Sequence, residues 1–211
     1  ITIREERRMK TEPPGEVKDA LNVPKPGDIQ HIVSPQGTGH QPDTVPFRVW
    51  PAADPKAALI LVHGLGGHSD RYQECGALWA AAGISTYAPD LKGFGHTEWP
   101  KGHVDTFDRY HKDLEIVLAR VMAEHSRRPV FLLGESMGGV LSVDFISRRP
   151  ALLSGLILVS PSFQDRLNVP LRTKVIAFLH VLFRHRKYYD VPWNPSDFTR
   201  DQAVIEYLNR D

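Results

Sequence analysis

Residues 130–139 read Val130-Phe131-Leu132-Leu133-Gly134-Glu135-Ser136-Met137-Gly138-Gly139. A short apolar run leads into a serine set between glycines, and a longer amphipathic stretch, Met137–Arg148, follows. The run has the length of a buried strand and the stretch after it the length of a helix. G-x-S-x-G at a strand-to-helix junction is the pattern of a tight turn that lifts a serine hydroxyl above the end of a sheet. Side chains at Gly134 and Gly138 would collide across such a turn. The plainer reading is an ordinary glycine-rich turn. The strand before the motif and the helix after it favour Ser136 as a catalytic nucleophile.

The same alternation extends outward in both directions. Upstream, Ala57–Val62 and Ile84–Ala88 are short apolar runs ended by glycine or proline. Between them Arg71–Ala82 reads as a helix, and after them Asp105–His125 reads as a longer one. In the latter, Leu114, Val117, Leu118, Val121 and Met122 recur at the spacing of one helical face. Downstream, Leu156–Val159 is a fourth strand after Pro129–Leu133. Strands apolar on both sides and separated by helices predict an α/β fold with a mostly parallel sheet covered on both faces. From residue 161 the alternation stops, and 161–211 reads as two or three helices.

The segment before this region differs. Nine of the 17 prolines fall between Pro13 and Pro55. Proline fixes φ and removes an N–H, which disfavours long helices and central strands. Residues 1–43 are therefore expected to be an irregular lead-in, with a short edge hairpin around Val45–Trp50. The predicted organisation is a lead-in over 1–43, an α/β core over 44–160 and a helical region over 161–211.

Composition narrows the function classes. The 211 residues carry 26 Lys and Arg against 25 Asp and Glu, a net charge of +1. No long-range positive field is available to hold nucleic acid. The single cysteine, Cys75, excludes an internal disulfide and a Cys-rich zinc site. Ile1–Lys10 is rich in charge and contains no apolar signal-peptide core, so a cytoplasmic location is expected.

Two further loops follow predicted strands. His63-Gly64-Leu65-Gly66-Gly67 leaves the first of them. Acyl transfer passes through an oxyanion that needs two backbone N–H donors. One comes from the residue after the nucleophile, Met137, and the other from a glycine-rich loop after an earlier strand, here Leu65. His63 reads as a structural brace for that loop. The stretch Asp90-Leu91-Lys92-Gly93-Phe94-Gly95-His96-Thr97 lacks a full phosphate-binding fingerprint and opens no helix directly. It reads as a structural loop shaping a pocket wall.

Taken together, LVHGLGGHSDRY (61–72), APDLKGFGHT (88–97), GHV…FD (102–108), FLLGESMGG (131–139) and LILVSPS (156–162) resemble the α/β-hydrolases of the monoacylglycerol lipase and lysophospholipase-like group. That group is also described as serine aminopeptidase-like. The resemblance runs from about residue 45 to 211 in the family's order. It implies an acyl-enzyme on Ser136, an oxyanion hole from the Leu65 and Met137 N–H groups, and a cap formed by the helical tail. It implies no metal or organic cofactor. Glu135 stands where animal monoacylglycerol lipases have His, and Lys92 where the family usually has Arg.

A serine nucleophile needs a base and an orienting acid, which in this fold follow the serine in the order acid, then His. After Ser136 the histidines are His180 and His185, both in one predicted helix. Neither is expected to join a triad. The chain reads as the amino-terminal two-thirds of a hydrolase, with the last part of the sheet outside it. Leu171–Phe183 is an apolar helix whose stripe of Leu171, Val175, Phe178, Leu179 and Leu182 is flanked by Arg172, Lys174 and the basic run 184–187. Cations bordering an apolar face suit transient contact with a membrane surface, and they also suit packing over a pocket. The expected function is cleavage of carboxylic esters, acylglycerols or lysophospholipids. The alternatives are an aminopeptidase, thioesterase or acyltransferase on the same fold, and a non-catalytic binding protein with an incomplete triad.

Overall fold

The computed structural model describes residues 27–34, 43–149, 152–163, 171–182, 196 and 199–210. It divides into two compact units, Ile1–Gln164 and Asp165–Asp211. In the first unit the strands are β1 (Asp28–Ser34), β2 (Asp43–Trp50), β3 (Ala57–Val62), β4 (Ile84–Pro89), β5 (Val130–Glu135) and β6 (Gly155–Val159). Its helices are α1 (Gln73–Ala81), entered through a 3₁₀ turn at Ser69–Tyr72, α2 (Phe107–Glu124) and α3 (Met137–Arg148).

The strands lie in the order β1-β2-β4-β3-β5-β6. β4, β3, β5 and β6 are parallel, while β2 runs antiparallel to both β1 and β4. Apolar residues cover both faces because successive side chains of a strand point to opposite sides. Ala58, Ile60 and Val62 of β3 join one cluster with Leu114, Val117 and Val121 of α2 and Leu141 and Phe145 of α3. Leu59 and Leu61 join the other, with Trp50, Leu133 and Ala77 of α1. The expected mostly parallel, doubly covered sheet is therefore present. Four of the five residues predicted for the inner face of α2 are buried, whereas Met122 is 36% exposed.

Two findings correct the reading of the lead-in. Residues 28–34, expected to be irregular, form β1. This proline-free stretch lies between Pro26 and Pro35, and its partly buried Ile32 packs against the core. Its pairing with β2 is the stabilising contact, and that contact is invisible in a local pattern. Proline also lies within a strand that has neighbours on both sides, since Pro46 sits in β2 opposite His31 of β1. The Pro46 C=O accepts the Asp90 N–H at 2.9 Å, just past the end of β4. A residue's N–H and C=O face the same neighbour in an antiparallel strand. The missing N–H therefore costs no bond to β1 and falls on the β4 side, opposite Asp90, one residue past that strand's end.

β6 is the far edge of the sheet among the described residues. Ile157, Leu158 and Val159 are 44%, 37% and 43% exposed, so side chains on both of its faces are open to solvent.

In the second unit the described helices are α4 (Leu171–Leu182) and α5 (Gln202–Arg210). On α4, Leu171, Val175, Ile176, Phe178 and Leu179 are all exposed. His185 and the basic run 184–187 lie outside the described residues, as does the side chain of His180. Among the described residues no helix is long and apolar enough to cross a membrane.

Candidate active site

Ser136 is the junction between β5 and α3. Its backbone has φ 52° and ψ −118°, a conformation that residues with a Cβ rarely adopt. Such a residue stores roughly 1–3 kcal/mol of strain and persists only where its surroundings hold it. Those surroundings are specific. The Ser136 N–H donates to Val159 C=O at 3.0 Å, and its own C=O accepts from Gly139 N–H at 3.0 Å and Ser162 N–H at 3.2 Å. The side chain is half-buried, and its Oγ lies 3.0 Å from Ser162 Oγ.

The first turn of α3 abuts the end of β3. A Cβ placed on Gly138 would stand 2.2 Å from the Val62 carbonyl oxygen and 2.5 Å from that of His63. This contact brings the loop after β3 beside the serine. A Cβ on Gly64 would be 2.9 Å from the Ser136 Cβ. The loop then reverses, with Gly67 N–H donating to Gly64 C=O at 3.0 Å across Leu65 and Gly66. Gly66 has φ 73°, the left-handed third position of a type II turn, where glycine is favoured. The turn's hydrogen bond leaves the Leu65 N–H outside it. Met137 is the first residue of α3, where backbone N–H groups have no acceptor within the helix. Both candidate oxyanion donors therefore sit on segments that adjoin Ser136.

His63 and Asp90 tie this loop to the one after β4. His63 is wholly buried. Its Nδ1 donates to Gly64 C=O at 2.7 Å, and its Nε2 accepts the Leu91 N–H at 3.0 Å. Both ring nitrogens are committed in the neutral tautomer. Burial lowers its pKa to about 4, only partly offset by the Gly64 hydrogen bond. This geometry makes His63 a brace. Asp90 is also buried, and its carboxylate accepts from the Ser69 N–H at 2.7 Å and from the His96 N–H and Nδ1 at 2.9 Å each. Burial alone would push its carboxyl up, but these donors together hold it below the usual carboxylate range.

The His63 geometry gives a testable pH effect. Above pH about 6.5 both the folded and unfolded states hold a neutral imidazole. As pH falls from about 6.5 to about 4, the unfolded chain takes up a proton that the folded chain refuses. Stability declines over that window by roughly 3 kcal/mol. Denaturant melts at several pH values should show a steeper loss for wild type than for His63→Gln. Parallel curves would contradict the burial argument.

Sequence reasoning missed two contacts at the elbow. Tyr72, on the 3₁₀ turn before α1, donates its hydroxyl to Glu135 Oε2. Burial, with that carboxylate beside it, pushes the phenol well up. Ser162 was legible only as part of LILVSPS, and nothing in a linear pattern places its hydroxyl on Ser136. No group of three or more His, Cys, Asp or Glu side chains suited to a metal ion occurs among the described residues.

A mostly parallel sheet with a strained serine turn at the carboxyl end of β5 defines the class as α/β hydrolase. The family model for serine aminopeptidases of the S33 type matches residues 53–211, and the chain belongs to that family. It is 35% identical to the monoglyceride lipase of Rattus norvegicus over 191 residues, covering 90% of this chain and 61% of that protein. It is 32% identical over 121 residues to phospholipase YtpA of Bacillus subtilis (strain 168), covering 57% of this chain and 46% of that protein. A soluble variant of monoglyceride lipase from Saccharomyces cerevisiae, solved with a substrate analog, shares the fold with a TM-score of 0.72 at 20% identity. That match covers 90% of this chain and 64% of that one. The chain thus spans a little over three-fifths of the rat relative's length.

Proposed function

We propose that Ser136 is the nucleophile of a serine hydrolase that cleaves carboxylic esters of the acylglycerol or lysophospholipid class. The observation that carries this reading is the Ser136 backbone, φ 52° and ψ −118°, held at a strand-to-helix junction. Ser136 Oγ attacks the ester carbonyl carbon, giving its proton to a general base, and the carbonyl π pair moves onto oxygen. The Leu65 and Met137 N–H groups donate to that oxyanion. Collapse breaks the bond to the alcohol, which leaves with the proton, and water then frees the acyl group from Ser136. His63 does not serve as the base, because both its nitrogens are committed to backbone groups.

Likeness to a monoglyceride lipase and a phospholipase supports the lipid substrate class. The exposed apolar residues of α4 support transient contact with a lipid surface. Replacing Val175 and Phe178 with Ser should cut turnover of long-chain acylglycerols about tenfold while nearly sparing acetate esters. Equal loss on both would indicate general destabilisation instead. The family's description also admits an aminopeptidase. Assays of the intact natural protein on a long-chain monoacylglycerol and on an aminoacyl p-nitroanilide separate the two. The expected result is acylglycerol hydrolysis abolished by Ser136→Ala. Cleavage of the anilide alone would overturn the lipase reading.

A further inference from the structure

Among the described residues the non-glycine positions with positive φ are Ser136, at 52°, and Ser160, at 44°. They are neighbours in the sheet. Ser136 directly follows β5, Ser160 directly follows β6, and Glu135 and Val159 before them are register partners. Two adjacent parallel strands thus end in strained serines at the same level. Strain of this kind clusters where the fold must aim a group.

The second turn aims Ser162 at the first. After Ser160 the chain lays Pro161 against α3, where a Cβ on Gly139 would meet the Pro161 Cβ at 2.9 Å. It then returns Ser162 to the elbow. The Ser162 N–H donates to the Ser136 C=O at 3.2 Å, and the two Oγ atoms are 3.0 Å apart. Val159 C=O accepts the Ser136 N–H at 3.0 Å. The last residue of β6 and the turn after it therefore grip the elbow at its N–H, its C=O and its hydroxyl.

We propose that Ser162 is a further catalytic residue, whose hydroxyl donates a hydrogen bond to Ser136 Oγ during the reaction. The proposal rests on the reading of Ser136 as nucleophile. Each hydroxyl carries one proton. When Ser136 gives its proton to the base, Ser162 is the partner left with an O–H to share, and Oγ is the partner with growing charge. A donor to a charged oxygen stabilises that form. The contact strengthens as Oγ ionises to attack, weakens once Oγ is an ester oxygen, and strengthens again as Oγ departs in deacylation. It acts on the chemical steps and leaves substrate binding unchanged.

The test uses the intact natural protein with a fluorophosphonate probe and a short-chain chromogenic ester. Ser162→Ala should lower the maximal inactivation rate and kcat about tenfold, with KI and KM within about twofold. Ser162→Thr, which keeps the hydroxyl, should recover at least half of the lost rate. Ser162→Cys, a poor donor of similar size, should fall with Ala. Ser162 is exposed, so thermal melts of the variants should match wild type. If Ala fails to fold, the Thr and Cys rates decide. An unchanged rate in Ala, equal loss in Ala and Thr, or a change confined to KM overturns the proposal while leaving Ser136 as nucleophile. Absence of an adduct on Ser136 in wild type overturns both.

Discussion

Gly138→Ala is expected to leave little folded protein. The new Cβ would stand 2.2 Å from the Val62 carbonyl oxygen and 2.5 Å from the His63 oxygen. Both obstacles are backbone at the end of a central strand, so no side-chain rotation relieves them. Either α3 lifts from the sheet or the end of β3 moves, and each shift opens the cluster shared by Val62, Leu141 and Phe145. Overpacking of flexible cores costs about 1–3 kcal/mol, and a clash with fixed backbone stands at or above the top of that range. Against a typical total of about 5–15 kcal/mol, that loss is large. Gly102 is the control, since it has φ 66° and a methyl group added there would meet nothing within 4 Å. Gly102→Ala should cost about 1 kcal/mol through its backbone alone. Urea melts and soluble yield check both. Equal, small losses would show that the elbow is not tightly packed on β3. In any Gly138→Ala protein that folds, displacement of the Leu65 turn should depress ester turnover as well.

The fold was legible where short-range chemistry decides it. β3 and α3 were bounded correctly because apolar runs, glycines and helical spacing are local signals. The serine turn was legible because its glycines have a steric reason readable from spacing alone. What escaped depends on partners far along the chain. β1 is stabilised by pairing with β2 and by Ile32 against the core, neither visible in a proline-rich neighbourhood. Met122 keeps the inner-face spacing of α2 yet is exposed, because spacing marks a stripe and packing sets its width. At the site, Ser162 reaches Ser136 across 26 positions and Tyr72 reaches Glu135 across 63. Such contacts arise from strand order, which no motif states. The Asp90 loop reads as bland in sequence. Its carboxylate nonetheless holds the Ser69 N–H just beyond the glycine turn carrying Leu65.

The central claim is that the strained serine of the elbow is the reacting atom's carrier. Ser136→Ala should abolish covalent labelling by a fluorophosphonate while leaving the fold intact. The variant removes one half-buried hydroxyl and its bond to Ser162 and keeps every backbone contact of the turn, so its melting temperature should stay within a few degrees of wild type. Without Oγ no acyl or phosphonyl ester forms at the elbow, and the expected loss of labelling is complete. The most direct measurement is peptide mass mapping of the fluorophosphonate adduct on the intact natural protein and its Ser136→Ala variant. The account predicts a single modified peptide in wild type, with the adduct on Ser136, and none in the variant. An adduct on another serine, or labelling that persists in the alanine variant, would contradict it.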